Sequence, residues 1–170
     1  MEKWAFIDGT NEVFKVSSFG RVMRVRGGKG TYAGRVLKPF FVSKGYPAVD
    51  LYYGGEHHVI MVHVLVMRSF VGVCPKGMEI NHRDGNPRNT VLKNLEYTTH
   101  KKNTRHAYRI GLIRTKLSIA DIQEIRRRYK RRDEGGRNST SGLAIEFGVS
   151  RWQIWAVANY RTWVSLEEEE

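Results

Sequence analysis

Glu79-Ile80-Asn81-His82-Arg83-Asp84-Gly85-Asn86-Pro87 is the stretch on which the reading of this chain turns. Pro75-Lys76-Gly77 ahead of it signals a turn, so Met78 to His82 reads as a brief extended run that ends where Asp84-Gly85-Asn86-Pro87 must reverse the chain. Beyond the loop, Leu95 to Thr98 is a second short run rich in β formers, and Thr98 or Thr99 offers a side-chain oxygen to cap a helix starting near His100. The predicted order is strand, loop, strand, helix, with His82 at a strand end. Asn103 and His106 stand three residues apart on that helix and share one face, so both can look toward His82.

These residue types suit hydrolysis of a phosphodiester. An imidazole that titrates near neutrality is the side chain best matched to activating water, which makes His82 the candidate general base. A hard divalent cation prefers oxygen ligands, and the amides of Asn81 and Asn103 can supply two. Asn94 can tie the loop to the strand and hold the imidazole in one orientation. The bland alternative is an ordinary tight surface loop, in which Asn, Asp and Gly are expected.

Asn81-His82, Asn94 and Asn103-Thr104-Arg105-His106 together resemble the HNH nuclease motif, with His82, Asn94 and Asn103 in the three named places. The resemblance implies a ββα-metal core holding one divalent cation, Mg²⁺ or Mn²⁺, and cleavage that leaves 5′-phosphate and 3′-hydroxyl ends. In that family the residue matching Asn94 has that supporting role, and a histidine near His106 serves some members as a ligand, so His106 is a candidate metal or phosphate contact. Two departures stand out. Many members carry Asp where Asn81 stands, and many wrap the site in paired cysteines, whereas Cys74 is alone here and excludes a four-cysteine structural zinc within one chain. Cys74 reads as a small, partly buried hydrophobe. His57, His58 and His63 lead into Val64-Leu65-Val66-Met67-Arg68-Ser69-Phe70, a buried helix by its pattern, and read as structural or surface histidines.

Charge points to a polyanionic partner. Lys and Arg number 29 against 17 Asp and Glu, a net +12 that includes four glutamates at the C-terminal end. Between residues 101 and 164 the count is 15 basic to 5 acidic, so the C-terminal part is expected to dominate nonspecific affinity for nucleic acid. No lipidation motif or long Lys-rich amphipathic helix favours a membrane surface. Met1-Glu2-Lys3-Trp4 lacks the apolar region of a signal peptide, so a cytoplasmic protein is expected; a bacterial host cell and phage origin are what the resemblance implies.

Ahead of the motif, Val13 to Val16, Gly20 to Val25, Val36 to Phe40 and Tyr46 to Leu51 alternate apolar and polar residues between Gly and Ser breaks, each as a strand would. The run from Trp4-Ala5-Phe6-Ile7 through Phe14-Lys15-Val16-Ser17-Ser18-Phe19-Gly20-Arg21-Val22 resembles the nuclease-associated module found before HNH sites in phage homing endonucleases. Arg21, Arg24, Arg26, Lys29 and Lys38 could then line a DNA-facing sheet; the plain alternative is a sheet covering the catalytic core with these cations merely solvated.

After the motif, Ser118 with Asp121 forms a capping box, Leu117 and Ile122 a hydrophobic staple, and Ile119, Ile122, Ile125 and Tyr129 repeat at helical spacing. Ser141 to Ile154 reads as helix, Gly turn and a second helix capped by Ser150 with Gln153, and resembles a helix-turn-helix. That resemblance nominates Arg151, Gln153 and Trp155 for base edges, with Asn159 and Arg161 nearer the backbone. Arg105, Arg109, Arg114 and Lys116 flank a Gly in a segment that suits a groove-following linker or the end of the catalytic helix.

The fold class expected is α+β: a β-rich DNA-binding module over 1–60, an HNH core over 61–110, a basic linker over 111–117, a helix-turn-helix over 118–166 and an acidic tail over 167–170. The function implied is that of a strand-nicking homing endonuclease acting as a monomer on double-stranded DNA. A noncatalytic DNA-binding regulator, a structured-RNA binder and a dimer that breaks both strands are the alternatives.

Overall fold

The computed structural model describes residues 1–113, 116–130 and 136–163. Residues 114–115, 131–135 and 164–170 lie outside it, and with them Arg114, most of the polar loop expected around Arg131 to Ser139, and the acidic tail. The chain divides into two units, Met1–Asn103 and Thr104–Glu170.

In the first unit, β1 (Trp4–Phe6), β2 (Phe14–Ser17) and β3 (Val22–Arg24) form an antiparallel sheet in which Ala5 faces Val16 and Val16 faces Val22. Strand β2 follows the period of two: Phe14 and Val16 are buried while Lys15 stays partly exposed. The β2–β3 turn is closed by Ser17, whose Oγ accepts from the amides of Phe19 and Arg21 at 3.2 and 3.0 Å. Gly20 in that turn has φ +80°, and a Cβ there would stand 2.0 Å from Thr90 Oγ1, so both conformation and contact require glycine.

A second antiparallel sheet follows: β4 (Phe40–Phe41), β5 (Pro47–Tyr53) and β6 (Glu56–Met61). The expected strand from Val36 to Phe40 is not formed. Val36 makes only an isolated bridge to Met23, and Phe40 opens β4 instead, opposite Ala48; Pro39 between them has no amide hydrogen to donate to a ladder. Strand β6 was not expected from the sequence; it pairs with β5 across Gly54 and Gly55, both at positive φ, as a two-residue hairpin loop requires. Helix α1 (Val62–Phe70) is the hub of this unit. Its Val62, Leu65, Val66 and Met67 are buried with Phe14, Val16, Val22, Val49, Leu51 and Leu95 in one core, each large side chain contributing roughly 1.5–3 kcal/mol by burial.

Strands β7 (Met78–His82) and β8 (Leu95–Thr99) form an antiparallel pair, joined by the 83–94 loop and followed by α2 (His100–Arg109). Thr99 Oγ1 accepts from the amide of Lys102 at 3.4 Å and caps α2, as expected for a threonine there. The helix stops where Gly111 turns left-handed and Leu112 donates back to the Ala107 carbonyl, so residues 110–113 are its C-terminal turn.

In the second unit α3 (Ile119–Arg128), α4 (Thr140–Phe147) and α5 (Arg151–Ala158) enclose Leu117, Ile122, Ile125, Leu143, Ile154 and Val157. Capping boxes at Ser118 and Ser150 form as their spacing predicts, and Gly148 ends α4 at φ 64°. Arg128 makes two charge-assisted bonds to Glu146, at 2.6 and 2.7 Å, joining α3 to α4.

Candidate active site

The register of the β7–β8 pair builds the site. Asn81 stands opposite Glu96 and His82 opposite Leu95. Asn81 and His82 are each 6% exposed, at the end of the strand where the pattern placed them.

Asn81 Nδ2 donates to Glu96 Oε1 at 2.9 Å, and Asn103 Nδ2, from the first turn of α2, donates to Glu79 Oε1 at 2.6 Å. A carboxylate only accepts, so both amides must turn their NH₂ ends to it. Their carbonyl oxygens are thereby left for another partner. Two amide oxygens with a fixed orientation fit the ligand preference of a hard divalent cation. Glu96 and Glu79, which orient them, were not picked out as site residues, although pairing the two strands outward from the loop would have placed Glu96 beside Asn81.

Asn94 is the knot of the loop. Its Oδ1 accepts from the backbone amide of Asp84 at 3.0 Å, and its Nδ2 donates to Asp84 Oδ1 and to the Asn89 carbonyl, both at 2.9 Å. Arg83 N–H donates to the Asn94 carbonyl and Gly85 N–H to that of His82, each at 2.8 Å. Asn94 therefore positions the chain that follows the imidazole, from Arg83 to Asn89, without bonding to the ring.

His82 Nε2 is buried without a hydrogen-bond partner among the described residues. Burial lowers the pKa of this imidazole, and the nearby Asp84 carboxylate partly opposes the shift. Neutral His82 is a proton acceptor, and Asp84 favours the imidazolium that proton transfer would form. Desolvation pushes the Asp84 carboxyl up, but hydrogen bonds from the Asn86 backbone and the Asn89 and Asn94 side chains outweigh it and hold it below its ordinary value.

Helix α1 brings His63 to this place as well. Its ring centroid lies 5.1 Å from that of His82, edge-on at 72°, with Tyr46 against both rings. Its sequence pattern is that of a structural histidine, since helical periodicity says what is buried but not what it is buried against. His57 and His58 are elsewhere, packed on Tyr52 and Tyr53 along the β5–β6 hairpin. Among the described residues no three His, Cys, Asp or Glu gather as a metal cluster.

Residues 61–105 match the HNH_3 family, described as HNH endonuclease, and residues 2–52 match the NUMOD4 motif. The chain carries an HNH endonuclease domain. This HNH domain contains α1, the β7–β8 pair, its loop and the start of α2, and so includes Asn81, His82, Asn94 and Asn103. DNA endonuclease I-HmuI of Bacillus phage SP01 is 29% identical over 123 residues, covering 72% of this chain and 65% of that protein. YosQ of the SPbeta prophage of Bacillus subtilis (strain 168), named as an HNH homing endonuclease, is 40% identical over 79 residues, covering 45% of this chain and 44% of that one. The chain thus spans less than two thirds of the length of either relative. A solved structure titled "DNA binding and cleavage by the HNH homing endonuclease I-HmuI" has the same fold, with a TM-score of 0.56 at 24% identity over 91% of this chain and 88% of the other.

Outside the HNH domain, the five cations assigned to a DNA-facing sheet do not share one. Only Arg24 lies on a strand, with Nε donating to the Arg26 carbonyl at 2.8 Å and its guanidinium over Phe14. Arg21 pairs with Glu2 and Arg26 with Glu12, while Lys29 and Lys38 are exposed in connections. The module also bonds to the HNH loop, Leu92 N–H donating to the Ser18 carbonyl at 2.9 Å. In the second unit, Arg105 and His106 are half-buried on α2, while Arg109 and Lys116 are exposed. Arg151, Gln153 and Trp155 are exposed on α5, and Arg161 beyond it. Gln153 spends its Oε1 on the Ser150 amide at 3.0 Å, which leaves only its NH₂ for a base; Asn159 donates to the Trp155 carbonyl at 2.9 Å.

Proposed function

We propose that this protein is a site-specific, strand-nicking DNA endonuclease, and that His82 is its general base. The observation that carries the proposal is the buried Nε2 of His82, without a partner among the described residues, next to an amide whose NH₂ end is fixed by Glu96, all within the HNH domain. Water gives a proton to His82 Nε2 while its oxygen bonds to phosphorus. The bond from phosphorus to the 3′-oxygen then breaks, and that oxygen leaves with a proton from solvent, giving 5′-phosphate and 3′-hydroxyl ends. Asp84 stabilises the imidazolium, and Asn94 holds Asp84 and the backbone at His82 in register. Asn81 and Asn103 would hold one divalent cation, Mg²⁺ or Mn²⁺, through their carbonyl oxygens. When bound, it supplies positive charge to the phosphate and the leaving oxygen.

A net charge of +12 favours a polyanionic substrate, which the nuclease reading takes to be duplex DNA. The α4–α5 pair, with its Gly148 turn and exposed Arg151 and Trp155, suits a helix-turn-helix that reads the major groove, with His106, Arg105, Arg109, Arg114 and Lys116 contributing phosphate contacts. One His82 site per chain, flanked by modules without internal symmetry, suits a monomer that cuts one strand of a nonpalindromic target. Separate end-labelling of each strand of a target duplex tests this: a cut confined to one strand is expected, and equal cutting of both by dimer-sized particles would contradict it.

A further inference from the structure

His63 is a buried polar residue for which packing alone gives no reason. It occupies the second position of α1 among Val62, Leu65, Val66 and Met67, and is itself 6% exposed. Its Nδ1 is buried without a hydrogen-bond partner among the described residues, as is Nε2 of His82, whose ring centroid is 5.1 Å away. Leu or Phe at position 63 would fill such space without burying an unsatisfied polar atom, a cost that native interiors avoid unless the atom is used. Tyr46, 5.1 Å from the His63 ring and 5.7 Å from the His82 ring, closes a three-ring cluster that limits rotation of either imidazole. His63 also lines a pocket with Tyr46, Glu79 and Tyr97. Burial, and then the neighbouring His82, hold the His63 pKa down to about 4. A neutral ring keeps one donor and one acceptor and does not repel an imidazolium at His82.

Resting on the nuclease reading above, we propose that His63 is a positioning residue of the hydrolytic site: its ring fixes the orientation of His82, and its Nδ1 holds the water that His82 deprotonates. The nitrogen, not only the ring, is therefore required.

The test measures single-turnover cleavage at saturating DNA, DNA affinity in EDTA and thermal melting for the wild type, His63→Phe, His63→Asn and His82→Ala. His63→Phe keeps a ring and removes the nitrogen. It is expected to bind DNA as the wild type does and to melt no lower, but to cleave slower by roughly 10–100-fold, the range found when a group that orients a reacting residue is lost. His63→Asn, which returns a polar atom near the place of Nδ1, is expected to recover most of the rate. Should His63→Phe fail to fold, Asn and Leu at 63 are compared instead, being near in shape and different in polarity. Cleavage by His63→Phe within twofold of wild type, or equal rates for Asn and Leu, would overturn the proposal while loss of cleavage in His82→Ala leaves the nuclease reading standing. Equal cleavage by wild type and His82→Ala, or none by either, would overturn both.

Discussion

Asn94 and Asp84 are bonded to each other twice, the amide oxygen taking the Asp84 backbone N–H at 3.0 Å and the amide nitrogen giving to its carboxylate at 2.9 Å. This reciprocal pair, ten residues apart in sequence, fixes the loop that carries the imidazole. Asn94→Ala removes both bonds and the one to Asn89, so a loss of about 1–3 kcal/mol in stability is expected, with a larger proportional loss of cleavage. Asn94→Asp should be at least as damaging, since it sets a carboxylate against Asp84. Urea unfolding and plasmid nicking, measured on the same preparations, check both.

The amide at position 81 sets up a sharper test of the metal. Asn81→Asp replaces a donor to Glu96 by a second carboxylate, so the two repel across what is now a 2.9 Å hydrogen bond. The variant should melt lower than wild type in EDTA and gain more from added Mg²⁺ or Mn²⁺, because a carboxylate is the stronger ligand. Asn103→Ala should lose most of the metal response. Melting curves across a metal titration read this without reference to cleavage, and identical metal responses in all three proteins would count against Asn81 and Asn103 as ligands.

Stability should depend on His63 in mild acid. Its pKa is about 4 in the fold against an ordinary 6.5, so between those values the unfolded chain binds the proton that the native state refuses. The contribution is complete above pH 6.5 and is lost as pH falls toward 4, with a slope of up to about 1.4 kcal/mol per pH unit for one proton. His63→Phe should flatten that part of the profile, leaving the slope due to His82, whose pKa burial also lowers. Unfolding free energies at half-unit pH steps from 4 to 7.5 measure the difference.

The exposed face of α5 should set recognition. Arg151→Ala is expected to weaken DNA binding and, where the arginine serves a phosphate, to reduce the slope of log affinity against log salt by about 1. If it serves a base instead, about 1–3 kcal/mol of discrimination at one position should go, with the salt slope kept. Affinity titrations at several salt concentrations on matched and altered targets distinguish these, and an unchanged affinity on both would remove Arg151 from the interface.

The parts of the fold legible in the sequence are those fixed locally. Strand β7 ends at His82 because Asp84-Gly85-Asn86-Pro87 cannot continue it, and the capped helices follow from Ser118 with Asp121 and Ser150 with Gln153. What escaped depends on pairing across distance. Strand β6 looked like the lead-in to α1 because its two histidines interrupt the apolar pattern, and only its Tyr partners on β5 explain them. His63 was legible as buried, yet its place against His82 is set by how α1 packs under β7 and β8. Glu79 and Glu96 carry no signal of their own, and become site residues only through the side-chain amides they hold.

The central claim is that His82 activates water for hydrolysis of DNA in a metal-dependent site. It is tested most directly by incubating supercoiled plasmid with the purified protein and with His82→Ala, each with Mg²⁺ and with EDTA. The expected result is conversion to the nicked circle by the wild type with Mg²⁺, little in EDTA, and a rate roughly 10²–10⁴-fold lower for His82→Ala at unchanged DNA affinity. Nicking by a folded His82→Ala protein at the wild-type rate, or nicking undiminished in EDTA, would contradict it.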